Sequence, residues 1–180
     1  MERPEVMPRK ECEMATCYEW MESPVGRLLL VADELGLRQL LFAEGRTPPR
    51  LEGSWSEGGA CLREPIRQME AFFAGERRRF DLPLKPEGTG FQQRVWSALQ
   101  EIPFGETVSY GELALRVGNP AASRAVGLAN GSNPIAIIIP CHRVIGTNGK
   151  LTGYGGGLEK KRWLLDFERS QLRLAFGQRA

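Results

Sequence analysis

Thr89 with Gln92, and Ser109 with Glu112 twenty residues on, are two copies of one local signal. A hydroxyl that can accept a backbone N–H three residues ahead, paired there with a side chain that can reach back, is a capping box, and it fixes where a helix begins. Phe91, Val95 and Leu99 repeat at helical spacing behind the first box. "IPFGE" breaks that helix, and the second box opens "SYGELALRVG". "GNP" at 118–120 is a turn, with Pro120 suited to the first position of a further helix, "AASRAVGLANG", which Gly131 can end. Two short helices joined by a tight turn make a helix-turn-helix candidate. Local chemistry alone thus commits the second half of the chain to helices.

The first half follows another rule. In "TCYEWMESPVGRLLLVADELGLRQLLF", short apolar runs are separated by "SPVG" and "DELG", which predicts a meander of three antiparallel strands. "TPPRLEGSWSEGG" reads as a polar loop. Leu62, Ile66, Met69 and Phe73 then predict a helix that Gly75 stops. "RRRFDLPLKPEGTG" supplies a short strand and then a linker from Lys85 to Gly90, with Arg77, Arg78 and Arg79 as a solvated helix end. The 180 residues therefore divide into an α/β amino-terminal domain over 1–85, a small antiparallel sheet plus a helix, and a mostly α-helical domain over 86–172. Residues 173–180 are left as a tail.

Charge is divided along the same line. Residues 1–87 hold 13 basic and 16 acidic side chains, and residues 88–180 hold 11 and 6. A basic half beside an acidic one points to a polyanionic partner for the second, although solvated faces carry such an excess too. No apolar stretch approaches the roughly 20 residues that span a bilayer. The opening "MERPEVMPRKECEM" lacks the apolar core of a secretory signal. A cytosolic protein with no membrane partner is the expectation, with Cys12 and Cys17 unpaired because thiols stay reduced there. Cys12, Cys17, Cys61 and Cys141 match no zinc-finger spacing and His142 is the only histidine, so no metal and no cofactor is expected.

The second short helix carries little bulk. Ala121, Ala122, Ala125, Gly127 and Ala129 leave Arg124 as its one long side chain. Small residues there admit either close packing on a neighbouring helix or close approach to a nucleic-acid groove. "IIIPCHRVIG" then places Cys141 beside His142. Sulfur reacts as thiolate, so a nucleophilic cysteine needs a neighbour that takes its proton. Adjacent residues on a helix do not face each other, so a Cys–His relay needs a tight turn or an intervening water. An acid behind the histidine would fix its tautomer, and Glu168 in "KRWLLDFE" is a candidate that spacing does not prove. The alternative is an inert buried cysteine beside a structural histidine.

From Gly88 to Glu168 the chain resembles the O6-alkylguanine-DNA alkyltransferases, through "FQQRVW", "IPFGETVSYGELA", "SRAVGLANGSNP", "PCHRV" and "GYGGG" in that order. Residues 1–85 resemble the family's first domain loosely, in length and in "SPVG" followed by "LLLVAD". The resemblance implies a winged helix-turn-helix-like second domain and repair of DNA by direct reversal. Cys141 would accept the alkyl group from O6-alkylguanine, once and irreversibly. His142 would draw off the thiol proton through a water, with Glu168 behind it, and Asn133 would brace the turn before the cysteine strand. Tyr110 would protonate the leaving base at N3, and Arg124 would fill the gap left by the extruded nucleotide. Ala121, Ala122, Ser123, Ala125 and Gly127 would line the minor groove of alkylated double-stranded DNA. Val144, Tyr154, Gly155, Gly156 and Lys161 would form the base pocket. The resemblance implies a monomer, leaving cooperativity on DNA and activity on O4-alkylthymine open.

Some relatives carry another residue at the position of Cys141 and bind lesions without repairing them; Cys141 argues against that class. Others hold zinc in the first domain through cysteines and histidines, and a chain with no histidine before His142 is expected to lack it. Gly155 stands where some relatives have serine and Ala136 where some have proline, which leaves pocket size open. Two rival readings are a helix-turn-helix protein that binds DNA without chemistry and a thiol enzyme that turns over on a small molecule.

Overall fold

The computed structural model describes residues 15–45 and 48–177. Cys12, and with it any pairing to Cys17, lies outside the described residues. The predicted meander forms: β1 (Cys17–Met21), β2 (Leu28–Asp33) and β3 (Gly36–Phe42) pair antiparallel in that order. "SPVG" and "DELG" are its two turns, and Gly26 and Gly36 take the positive φ values of 93° and 141° that the tight reversals require. β2 is buried along all six residues, as a strand covered on both faces must be.

The sheet exceeds the expectation by one strand. β4 (Ser56–Glu57) lies inside the expected loop and pairs parallel to Cys17 and Tyr18, so the sheet is mixed, in the order β3-β2-β1-β4. α1 (Ala60–Phe73) packs on β2 with Leu62, Met69 and Phe72 sealed, and Gly75 follows its end at φ 78°. The strand expected within 80–84 is a single bridge, Leu84 to Leu37. Pro83 and Pro86 flank it, and a residue without an N–H cannot extend a ladder.

α2 (Gly90–Gln100) and α3 (Tyr110–Arg116) begin at the predicted capping boxes, with both reciprocal bonds present in each. The helix expected from Pro120 starts later. Pro120–Ala122 is a single 3₁₀ turn, and α4 runs Ser123–Gly131. α4 packs on α2 and α3, and the Trp96 indole donates to the Ala129 carbonyl at 2.8 Å. β5 (Val108–Ser109) and β6 (Val144–Ile145) form a short parallel pair. α5 (Leu158–Gly177) continues through residue 172, so the last segment begins as helix rather than as tail.

The domains join along the free edge of β3. Leu40 N donates to Pro134 O and Ala136 N donates to Leu40 O, each at 2.9 Å. Arg38 holds the buried Asp33 at 2.5 Å and also grips Glu87 in the linker. An edge that could recruit a foreign strand is thereby covered by the segment that leads to Cys141.

Candidate active site

Residues 134–140, which lead into the cysteine strand that the resemblance implied, are a run of turns. Ile138 N donates to Ala136 O and Cys141 N donates to Ile139 O, each at 2.8 Å, closing two three-residue turns around Ile137 and Pro140. Ile137 takes φ 69°. A β-branched residue pays strain in that region and holds it only when its surroundings fix it. Asn133 does so: its amide donates to Ile139 O at 2.8 Å and Ile135 O at 3.3 Å, and its oxygen accepts from Ile135 N at 3.0 Å. The bracing role read for Asn133 thus has a geometry, around turns rather than a strand.

Cys141 opens a 3₁₀ turn, Cys141–Arg143, and keeps 5% of its surface. The turn points His142 inward, where Nε2 lies 2.7 Å from Glu168 Oε1 on α5. Arg143, which the sequence reading passed over, grips the same carboxylate: Nε reaches both oxygens at 3.2 and 3.0 Å and Nη2 reaches Oε1 at 2.9 Å. Its Nη1 donates to Ile102 O at 2.6 Å, and Gly105 N completes the set on Oε2 at 2.8 Å. The signal for Arg143 was present, since an arginine in so apolar a run needs a counter-charge.

Burial pushes the Glu168 carboxyl up, but the bonds and charges of His142 and Arg143 outweigh it and bring it down to about 2. An ionised Glu168 accepts, so His142 Nε2 donates and Nδ1 carries the lone pair; Nδ1 is buried with no protein partner. Burial holds His142 below the usual imidazole range against the pull of Glu168. Burial also raises the Cys141 thiol, opposed by the Asn133 side chain and the Lys161 charge. The resting pair is therefore neutral thiol and neutral imidazole, a donor and an acceptor waiting for a route between them.

Lys161, fully buried, donates to Val144 O at 2.6 Å and Thr152 O at 2.9 Å, and burial lowers it to about 8. Its ammonium ties β6 to the following loop. Val144 is buried, and its carbonyl keeps a second lone pair. Tyr154 is buried with its hydroxyl unpartnered, its ring edge-on to His142 at 6.5 Å. Gly155 is exposed and Gly156 is buried. Two cavities on the amino-terminal side, of about 240 and 440 Å³, contain none of these groups.

The small-residue helix is buried on one side and exposed on the other. Ala129 packs inward, whereas Ala121, Arg124 and Ala125 are exposed, with Ala122, Ser123 and Gly127 partly so. Tyr110 leads α3, and its ring lies beside Gly127 of α4, where even an added Cβ would stand in ordinary contact at 3.7 Å. Leu128 corrects the expectation of a helix with one long side chain. It is 77% exposed, one turn beyond Arg124 on the same face. Asn130 was also missed: its amide donates to the Cys141 carbonyl at 3.4 Å.

The family models for the 6-O-methylguanine DNA methyltransferase ribonuclease-like domain and DNA-binding domain match residues 16–86 and 90–170. A methylated-DNA–protein-cysteine methyltransferase of Methanosarcina acetivorans is 58% identical, over 85% of this chain and 98% of that one. One of Mycobacterium tuberculosis strain H37Rv is 51% identical, over 86% and 93%. The crystal structure of Mycobacterium tuberculosis OGT in complex with DNA is similar at a TM-score of 0.80 and 50% identity, covering 86% of this chain and 94% of that one.

Proposed function

This chain belongs to the 6-O-methylguanine DNA methyltransferase family, and from that premise we propose that it repairs DNA by direct reversal, taking the alkyl group of an O6-alkylguanine onto Cys141. The observation that carries the reading is the buried pair His142–Glu168, clamped by Arg143 and next in the chain to the buried Cys141.

Nδ1 of His142 accepts the thiol proton through a water, and Glu168 stabilises the imidazolium that forms. The thiolate attacks the sp3 alkyl carbon in line with the C–O6 bond. An S–C bond forms, the C–O6 pair returns to the purine, and Tyr110 supplies a proton at N3 so that neutral guanine leaves. No step requires a cofactor. The thioether has no activated leaving group, so each molecule acts once.

The substrate carbon is unreachable in stacked DNA, and turning the nucleotide out costs a few kcal/mol. The exposed face of α4 enters the minor groove, its alanines and Gly127 allowing close approach while Arg124 fills the vacated stack. Val144, Tyr154, Gly155 and Gly156 enclose the extruded base, and Lys161 holds that loop to β6. The protein acts as a monomer in the cytoplasm, with residues 1–85 supporting the acceptor domain over 86–172. No helix among the described residues is long and apolar enough to cross a membrane.

Intact-protein mass spectrometry after mixing with a duplex containing one O6-methylguanine tests this. One added methyl per protein, mapped to Cys141 and absent from Cys141→Ala, is expected. Binding without a mass change, or turnover beyond one equivalent, overturns it.

A further inference from the structure

The loop carrying Tyr154 is fastened at both ends and propped in the middle. Lys161 Nζ bonds Thr152 O before it, and Lys161 N bonds Gly157 O at 3.2 Å where α5 begins. Between those points the side-chain hydroxyl of Tyr154 has no hydrogen bond, so packing alone sets where its ring stands. One packing partner is His142. The other comes from the amino-terminal domain: Phe42, the last residue of β3, meets the Tyr154 ring edge-on at 5.6 Å and 66°.

Further contacts fall at the same place. A Cβ on Gly156 would lie 2.7 Å from the Phe42 ring, so the loop passes that ring with no room for a side chain. A Cβ on Gly45 would lie 2.8 Å from Gly155 O, so the chain leaving β3 also lies against the loop's backbone. Lys160 Nζ donates to Glu44 O at 3.1 Å and sits 5.6 Å from the Phe42 ring centre, pinning α5 to the same corner. Phe42, Glu44 and Gly45 thus prop a segment whose inner side faces His142.

We propose that Phe42 is a positioning residue for alkyl transfer, setting through Tyr154 and Gly156 how far the loop stands from Cys141 and so which alkyl groups reach the sulfur. This rests on Cys141 being the acceptor. Without the Phe42 ring the loop is free to move outward, so a small methyl group loses its alignment while a larger benzyl group keeps contact with the wall.

The test compares single-turnover transfer from two duplexes, one with O6-methylguanine and one with O6-benzylguanine. Rates are taken per folded molecule for wild type, Phe42→Ala, Phe42→Leu and Leu62→Ala. The benzyl-to-methyl rate ratio is expected to rise about 10-fold in Phe42→Ala, since misplacement by a fraction of an ångström is enough for that. Phe42→Leu should restore most of the wild-type ratio. Leu62→Ala, a buried change in α1, should lower the unfolding temperature and leave the ratio unmoved. A ratio in Phe42→Ala equal to that of wild type, or matched by Leu62→Ala, overturns the proposal. Failure of the wild type on both duplexes overturns the acceptor reading and this one with it.

Discussion

Around β2 the amino-terminal domain seals a run of leucines, valine and alanine, and among its described residues only Asp33 and Gln68 are buried polar side chains. The carboxy-terminal domain encloses Asn130, Asn133, His142, Arg143, Lys161 and Glu168. Gln68 trades hydrogen bonds with Asp81 backbone, and Asp33 answers turn amides and Arg38; both do structural work locally. The second set holds the backbone on either side of Cys141 and the carboxylate of Glu168. In a polar interior each unpaired group is penalised by the same low dielectric that strengthens the paired ones, so His142 Nδ1 and the Tyr154 hydroxyl, both unpartnered, mark where the site departs from a purely structural one. The difference teaches where stability and chemistry coincide and where they part.

The sharpest way to break that contrast is Glu168→Gln against Leu62→Ala. Removing the carboxylate leaves Arg143 buried without its counter-charge and should cost about 3–5 kcal/mol. Alkyl transfer per folded molecule should fall at least about 100-fold as the imidazolium loses its support. Leu62→Ala should cost about 2–5 kcal/mol with transfer per folded molecule intact. Denaturant titration with single-turnover kinetics reads both, and a proportional loss of both quantities in both variants would erase the distinction.

Acid should weaken both domains, since burial raises Asp33 but Arg38 and the turn amides hold it below the ordinary carboxylate range, and Glu168 is the larger case. Glu168 sits at about 2 against an ordinary 4.5, so its contribution is whole above pH 4.5 and drains away as the pH falls towards 2. At about 1.4 kcal/mol for each pH unit of difference, that is about 3 kcal/mol. His142, held neutral by burial, adds a loss that starts lower than pH 6.5, where the unfolded imidazole takes a proton the folded one refuses. Urea unfolding at several pH values should show this limb, flattened at its lower end in Glu168→Gln; an unchanged limb in that variant contradicts the assignment.

Surface changes on α4 should touch chemistry and spare stability. Arg124→Ala should slow transfer from duplex DNA about 30-fold, the loss of about 2 kcal/mol in holding the vacated stack, while leaving reaction with free O6-benzylguanine near wild type. Equal slowing of both substrates would contradict the flipping role. Leu128→Ala should have the smallest effect, about 3-fold on duplex alone, as an apolar side chain withdrawn from the groove wall. No change in its duplex rate would place Leu128 outside the interface.

What the sequence made legible was local. The capping boxes at Thr89 and Ser109 state their own geometry within four residues, and the meander follows from two turn motifs. β4 was not legible, because a two-residue strand exists only where an edge such as β1 receives it. Nor was the route to Cys141: three isoleucines in a row favour a strand, and the Asn133 amide, the β3 edge and the segment's own backbone bonds hold Ile137 in a left-handed turn. Cys141, His142 and Glu168 were candidates from the residues themselves, and the resemblance supplied their roles. Arg143 and Leu128 were in plain view, but one needed its distant partner and the other its exposure in the fold to gain meaning.

Asn130 lies on the inner side of α4, and its amide holds the carbonyl of Cys141 itself. The helix proposed to grip DNA is thereby geared to the reacting residue. Any shift of the backbone at Cys141 would be felt on α4 first at this 3.4 Å hydrogen bond.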